Sequence, residues 1–395
     1  MRFLKIKNNF TFDFFIKRSV YTYYDNIHNI TNNQDFFNKA PFDKKSIKKV
    51  VVVNNIPPYL DARLHKEKIT FKLFKIYHLD GFLADINEYS NLDEYMKDQF
   101  GSKSRSEMRR YLRRLETCFS IQYKMYYGEI TKKEFSFLFE ELRKMIQRRF
   151  SQRGDTHQGL KHWDYLKSTV FEMILEKKAS FFVIFDKDQP IDICLNYHHQ
   201  NILRNYIRSY DIDYSKFRLG YIDILKQLEW CFENNHSILD LSYGDLAYKR
   251  TWCNKVYTFE QHIIYNEQYL SQKIWAFTIT VLLQLKWLLE KRGVLTLYYK
   301  LRSLFKRKAA KKMIYEEAIF EVEDISHTPL NTISLSKINS ADDIYTFIRK
   351  PIYNFQYLNF EISDDITIYK INDHPSSFII SGKRKKQKIT QKTHN

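Results

Sequence analysis

Glycine is scarce in this chain. There are 9 in 395 residues, alongside 7 prolines and 4 cysteines. With so few glycines no Gly-rich phosphate loop of the P-loop type can be found, and none is. The cysteines, Cys118, Cys194, Cys231 and Cys253, are far apart, with no CxxC pair and no zinc spacing. Free thiols in a reducing compartment are the expectation, with no metal. HExxH and an ordered Ser-His-Asp set are also missing. His198 and His199 are adjacent, so on a strand they would point to opposite faces and could not share one metal. They are expected at the surface of a hairpin turn. The start, "MRFLKIKNNFTFDFF", has no continuous apolar core and no small-residue cleavage site. A secretory signal is therefore not expected, and a cytoplasmic location is.

A long apolar run is missing too. The best candidate, "IWAFTITVLLQLKWLL", has 16 residues interrupted by Thr278, Thr280, Gln284 and Lys286. A span needs about 20 apolar residues. The run reads as a docking helix, with an interfacial membrane helix as the alternative. The basic "YYKLRSLFKRKAAKK" that follows would suit an anionic surface.

What is present is bulk and positive charge. Hydrophobic residues make up 44% and aromatics 16%, enough for substantial cores. A length of 395 residues predicts more than one core. Lys+Arg is 64 against 46 Asp+Glu, a net charge of +18. Nucleic acid, an anionic membrane or an anionic small molecule would all suit that charge. An AT-rich genome, which favours Lys, Asn, Ile, Tyr and Phe codons, would give the same balance with no basic partner.

Along the chain, "KKVVVVNN" is a buried-strand candidate, and "ITFKLFKIYHLDGFLADI" suggests one or two strands. "GSKSRSEMRRYLRRLETC" reads as a helix. Ser104 and Glu107 have capping-box spacing, and Met108, Tyr111, Leu112 and Leu115 form its apolar stripe. Helices are predicted over about 131–150 and 163–177. Then "SFFVIF", "IDICLNYH" and "ILRNYIRSY" are separated by short turns, which makes an antiparallel meander. "DIDYSKFRL" leads to Gly220 and a helix, "SILDLSYG" is a strand, "DLAYKRTW" a short helix and "VYTFEQHIIY" a last strand.

Gly220 stands where that central helix begins. A helix start exposes backbone N–H groups and positive dipole potential, and a glycine lets an anion approach them. Arg218 beside it can add charge-assisted hydrogen bonds. The same turn is equally a plain helix start.

Three segments in order, "SKSRSEMRRYLRRLE", "YIRSYDIDYSKFRLGYIDILKQLEW" and "ILDLSYGDLAYKRTW", resemble the CelD/BcsL-type acetyltransferase domain of the GNAT superfamily. The resemblance covers about 95–255. It implies an α+β GNAT fold, with a mixed, largely antiparallel central sheet flanked by helices. It also implies acetyl-CoA or another acyl-CoA as donor. The related transferases that build peptidoglycan bridges contain two GNAT-like units. On that pattern a reduced unit is expected over 1–130 and a fuller acyltransferase core over 131–265. A helical basic segment would follow at 266–313, a small β-containing appendage at 314–380 and a disordered basic tail at 381–395.

The same resemblance suggests residue roles. Arg218, Leu219, Gly220 and Tyr221 would bind the donor pyrophosphate. Lys249, from the Tyr-Lys pair, would stabilise an oxyanion or hold an anionic acceptor group. Asp240 would act as base or orient the acceptor, and Tyr210 would protonate the leaving thiolate. Asp211, Tyr243 and Tyr248 would contact substrate. The acceptor would be a polysaccharide or glycolipid precursor, with peripheral membrane contact through 274–312. Two other functions stay open: an aminoacyl-tRNA-dependent transferase, favoured by the charge, and a non-catalytic scaffold of a membrane-bound assembly, favoured by the lone glycine and the apolar helix.

Overall fold

A computed structural model describes residues 7–37, 49–65, 71–153, 158–293, 318–340 and 342–392. In chain order the strands begin with β1 (Lys7–Asn9), β2 (Tyr24–Asn29), β3 (Gln34–Phe37), β4 (Val51–Ile56), β5 (Leu60–Leu64) and β6 (Phe71–Asp85). Then come the helices α1 (Leu92–Gln99) and α2 (Ser102–Cys118), β7 (Ile121–Tyr126), α3 (Lys132–Arg153) and α4 (Trp163–Leu175). The meander is β8 (Ala179–Asp186), β9 (Gln189–His199) and β10 (Ile202–Tyr210). It leads through a 3-10 turn (Ile212–Phe217) to α5 (Leu219–Glu233), β11 (Ile238–Tyr243), α6 (Ala247–Trp252), β12 (Lys255–Asn266) and α7 (Leu270–Lys291). The C-terminal part holds β13 (Phe320–Asp324), β14 (Leu335–Ile338), α8 (Arg349–Asn359), β15 (Thr367–Ile371), β16 (Ser377–Ser381) and β17 (Lys386–Gln391). The fold is α+β: a mixed sheet flanked by helices, and a small antiparallel sheet near the C-terminus.

The chain forms two compact units: residues 1–90, 197–205 and 231–311, and residues 91–196, 206–230 and 312–395. This division differs from the sequential one expected at 130 and 265. The reason is strand pairing. β6 pairs antiparallel along β12 from Lys255↔Leu83 to Asn266↔Phe71, and along its far end with β11. A strand from early in the sequence therefore lies between two late ones.

In the first unit, β12 also pairs antiparallel with β4, β4 parallel with β1, and β11 parallel with β10 over 238–240 and 202–204. β2, β3 and β5 make a separate three-stranded sheet. α7 packs one face on this unit, where Ala276 and Ile279 join Val52, Ile76, Ile263 and Tyr265 in a buried cluster. The 71–85 stretch is one strand rather than two. Gly81 lies inside it because a Cβ there would fall 2.2 Å from the Tyr257 ring.

In the second unit, β7 pairs antiparallel with β8. Two-residue connections join β8 to β9 in this unit and β9 to β10 in the first, and each uses a left-handed residue, Lys187 (φ 54°) and Gln200 (φ 52°). The core brings Leu115, Cys118 and Phe119 from the end of α2 against Phe182, Ile191, Phe217, Leu219 and Ile222. α8 adds Tyr353 and Tyr357 to it. The C-terminal sheet runs β13-β17-β16-β15-β14.

Several expectations are corrected. α2 starts at Ser102 with Gly101 as its N-cap, so Ser104 is inside the first turn and makes no capping box with Glu107. The capping box lies instead at α3, where Glu134 accepts from the Thr131 N–H (2.9 Å) and Thr131 Oγ1 from the Glu134 N–H (3.2 Å). Within the appendage expected to be β-containing, the aromatic run "FQYLNFEI" favours a strand by propensity, yet 349–359 is α8. Its buried positions, Ile352, Phe355 and Gln356, have helical spacing. The tail expected to be disordered from 381 instead contributes β17, paired with both β16 and β13 and burying Ile389. His198 is buried, because β9 carries on through it, and its Nδ1 lies 3.0 Å from His236 Nε2. The basic stretch after 293, up to 317, lies outside the described residues.

Candidate functional site

The expected site residues fall in both units, and each group is best built separately. In the first unit Asp240, Tyr243 and Lys249 gather at the end of β11. Asp240 is fully buried. Its Oδ2 accepts from Arg204 and from Tyr59 Oη (2.6 Å); its Oδ1 accepts from Tyr257 Oη (2.9 Å) and the Ser242 N–H (2.7 Å). Four donors fill a carboxylate. A general base needs an open lone pair, so Asp240 would have to give up one of these bonds to act as one.

Arg204 is equally enclosed. It donates to Ser242 Oγ at 2.6 Å, and the Phe15 and Phe259 rings lie 5.4 and 5.8 Å away. Burial opposes its charge, but Asp240 and the two tyrosines outweigh it and raise its pKa. Burial first, and then the Asp240 charge, push the Tyr59 and Tyr257 hydroxyls far up, so both stay protonated donors.

Beyond this network β11 turns sharply at Ser242 (φ 62°) and Gly244 (φ 100°). The turn aims carbonyls at Lys249, whose buried Nζ donates to Tyr243 O (2.6 Å) and Ser242 O (3.3 Å). α6 thus presents a lysine ammonium clamped by backbone. Tyr248 beside it is half-buried and Tyr243 is exposed.

In the second unit the geometry centres on the start of α5. Arg218 caps the preceding 3-10 turn in the left-handed region (φ 59°, ψ 42°), an unusual state for arginine. The N–H groups of Tyr221 and Ile222 turn back to the Arg218 carbonyl. Those of Leu219 and Gly220, the first two of the helix, have no acceptor among the described residues. A left-handed residue followed by open helix N–H groups makes an anion-binding concavity. The Arg218 side chain above it is exposed.

A Cβ at Gly220 would lie 3.4 Å from Arg208 Nη2 and 3.7 Å from the Tyr210 ring, ordinary contact distances, so packing alone does not demand glycine there. Arg208 donates to Gly220 O (2.8 Å) and to both oxygens of Asp223. The turn therefore brings Tyr210 beside the helix start, where Arg149 also stacks over its ring at 4.3 Å.

Asp211, expected to touch substrate, caps the 3-10 turn at the Asp213 N–H (3.0 Å). It also accepts from Arg148 (2.7 Å) and Arg349 (2.8 Å). Arg148 further holds Asp213, whose pKa burial raises against the pull of that arginine. This network ties α3 and α8 to the turn that carries Arg218.

The Asp192 carboxyl on β9 is fully buried, and neither oxygen has a partner among the described residues. Burial, reinforced by the charge of Asp223, raises its pKa well above the usual range. Asp223 itself is raised to about 6 by burial, against the opposing effect of Arg208.

Arg204, Arg208 and Asp192 were not singled out from the sequence. A signal was there: charges inside "ILRNYIRSY" and "IDICLNYH", strands otherwise fit for a core, need buried partners. No group of metal ligands occurs among the described residues.

Residues 102–250 match the family described as acetyltransferase (GNAT) domain. No curated protein matches the chain. Among solved structures it is similar to FemX at 12% identity, over 55% of this chain and 73% of that one, with a TM-score of 0.38. It is similar to L-PGS from Bacillus licheniformis at 13% identity, over 59% and 73%, with a TM-score of 0.35. A third is the C-terminal domain (DUF2156) of a putative lysylphosphatidylglycerol synthetase from Agrobacterium fabrum, at 9% identity over 60% and 72%, with a TM-score of 0.37. The β8-β9-β10 meander, the start of α5 and the parallel return of β11 lie inside the matched residues, and the stretch 102–250, less than half of the chain, is a GNAT acetyltransferase domain of the CelD/BcsL type.

Proposed function

We propose that this protein transfers an acetyl or longer acyl group from acyl-CoA to an amine or hydroxyl of a polysaccharide or glycolipid precursor. The observation that carries the donor half is the start of α5. Two open N–H groups and a left-handed Arg218 stand there, inside a GNAT domain. Leu219, Gly220 and Arg218 would hold the donor's pyrophosphate, and Tyr221 would flank it. The donor supplies an activated thioester. The chain's own work is to bind it, polarise its carbonyl and manage protons. A backbone N–H of β10 would polarise the carbonyl, a role that rests on the CelD/BcsL resemblance. Tyr210, whose ring lies near Gly220, would give its proton to a departing thiolate.

For the acceptor we assign Lys249, with Tyr243 and Tyr248. A lysine clamped by carbonyls keeps its charge at a fixed point, as oxyanion stabilisation requires. Asp240 acts through others: it fixes Arg204 and the tyrosines and, through the Ser242 N–H, the turn whose carbonyls hold Lys249. The polysaccharide or glycolipid acceptor rests on the CelD/BcsL resemblance.

The test is calorimetric titration with acetyl-CoA of wild type, Arg218→Gly and Arg218→Glu. Glycine accepts the left-handed conformation, so the fold is kept while the guanidinium is lost. Loss of a charge-assisted hydrogen bond should weaken binding about 10- to 100-fold, and the glutamate should abolish it. Equal affinity in all three would remove the donor from this helix start. The +18 charge favours a second donor, aminoacyl-tRNA. Transfer from charged tRNA that falls steeply with salt, without acetyl-CoA binding, would establish that instead.

A further inference from the structure

The first unit leaves one large apolar surface uncovered. α7 buries Gln272, Ala276, Ile279 and Thr280 against its own unit. On another side of the helix Leu270, Ile274, Phe277, Val281, Leu285 and Leu288 are each between 41% and 71% exposed. Their spacings of 4, 3, 4, 4 and 3 put all six on one stripe of the helix. Trp275 and Leu282, also exposed, widen it on one flank. An exposed apolar stripe running the length of a 22-residue helix calls for an occupant.

Charge decides which occupant. Lys273 and Lys291, about five turns apart, border the stripe on the same side and are exposed. From Lys291 to Tyr315 the sequence has nine Lys or Arg and no Asp or Glu. A second copy of the chain would bring two such acid-free tracts together, at a repulsive cost. An anionic lipid surface would attract one. The helix is long enough to cross a bilayer but not apolar enough, and no described helix is both. At about 1.5 Å per residue it would lie along a surface for about 33 Å.

We propose that α7 docks the protein on anionic membrane surfaces, with the Leu270–Leu288 stripe in the headgroup–acyl boundary and Lys273 and Lys291 toward anionic headgroups. The inference stands apart from the donor assignment, because it uses none of the residues at the start of α5.

The test is co-sedimentation of the full chain with vesicles, either phosphatidylcholine alone or phosphatidylcholine with phosphatidylglycerol. Wild type should bind the anionic vesicles, bind the neutral ones far less, and release as salt rises. Phe277→Glu with Val281→Glu should weaken binding at least about tenfold. Both positions are exposed, so an unchanged thermal transition is expected; Leu285→Gln alone is the milder companion. No binding, binding untouched by the double substitution, or equal binding to neutral vesicles overturns the proposal. So does a wild-type dimer that the double substitution converts to monomer without any vesicle binding, since the stripe is then a self-interface.

Discussion

Asp240→Ala would leave the Arg204 guanidinium buried between two aromatic rings with its charge uncompensated. Removing one member of a buried ion pair costs about 3–5 kcal/mol. Tyr59→Phe removes one of the four donors on that carboxylate and should cost about 1 kcal/mol. Urea unfolding of the two variants checks the order. If Asp240 were mainly a catalytic base, Asp240→Ala would kill activity with little loss of stability.

Asp192 makes the opposite kind of prediction. Its pKa in the folded protein is raised, so the proton is held more tightly there than in the unfolded chain. Such a group contributes stability below the unfolded carboxyl pKa and loses that contribution as pH rises through the folded value. Asp223, raised to about 6, loses its contribution through that pH in the same direction. Asp192→Asn keeps the neutral shape at every pH. Thermal melts from pH 4 to pH 8 should show the variant gaining on wild type as pH rises. A constant difference across that range would mean Asp192 is not protonated inside the fold.

At the scale of single elements, legibility followed periodicity. The α2 stripe with Met108 and Leu115 and the helix over about 131–150 were readable from the sequence; Met108 and Leu115 are buried, as are Phe135, Leu138, Leu142 and Met145 on α3. The meander and the start of α5 were readable because turns and strand lengths are local. α8 was misread because aromatic residues favour strands while its buried positions obey helical spacing, a case of packing overriding propensity. The left-handed Arg218, Lys187 and Gln200 were not legible, since none is glycine or asparagine. Of the candidate site, the positions at the turn and on α6 were visible from motif resemblance. The ion pairs that hold them were not, because Arg204–Asp240 and Arg349–Asp211 join residues distant in sequence.

Gly81 tests how β6 serves the Asp240 network. A Cβ at Gly81 would strike the Tyr257 ring, whose hydroxyl reaches Asp240. Gly81→Ala should therefore cost about 1–3 kcal/mol as overpacking. In a Tyr257→Ala background the same change should cost much less, because the ring is gone. A double-mutant cycle by urea unfolding measures the difference, and additivity would show that ring contact does not set the cost.

At the scale of the whole chain, the interleaving of the two units governs what can be cut away. A sequential core of 131–265 contains the meander, α5, β11 and β12, which looks sufficient from resemblance alone. It lacks β6, the antiparallel partner of both β11 and β12, and it lacks α2, which supplies Leu115, Cys118 and Phe119 to the core around α5. It also lacks Arg349, one of two arginines on Asp211. Such a fragment would expose the edge of β11 and an apolar face beneath the donor turn, both of which favour aggregation. Expressed alone, 131–265 should show no cooperative thermal transition, whereas the full chain should. A fragment that melts cooperatively and binds acetyl-CoA would mean that the second unit's core closes without α2 and α8, and that the packing of those helices serves something other than the donor turn.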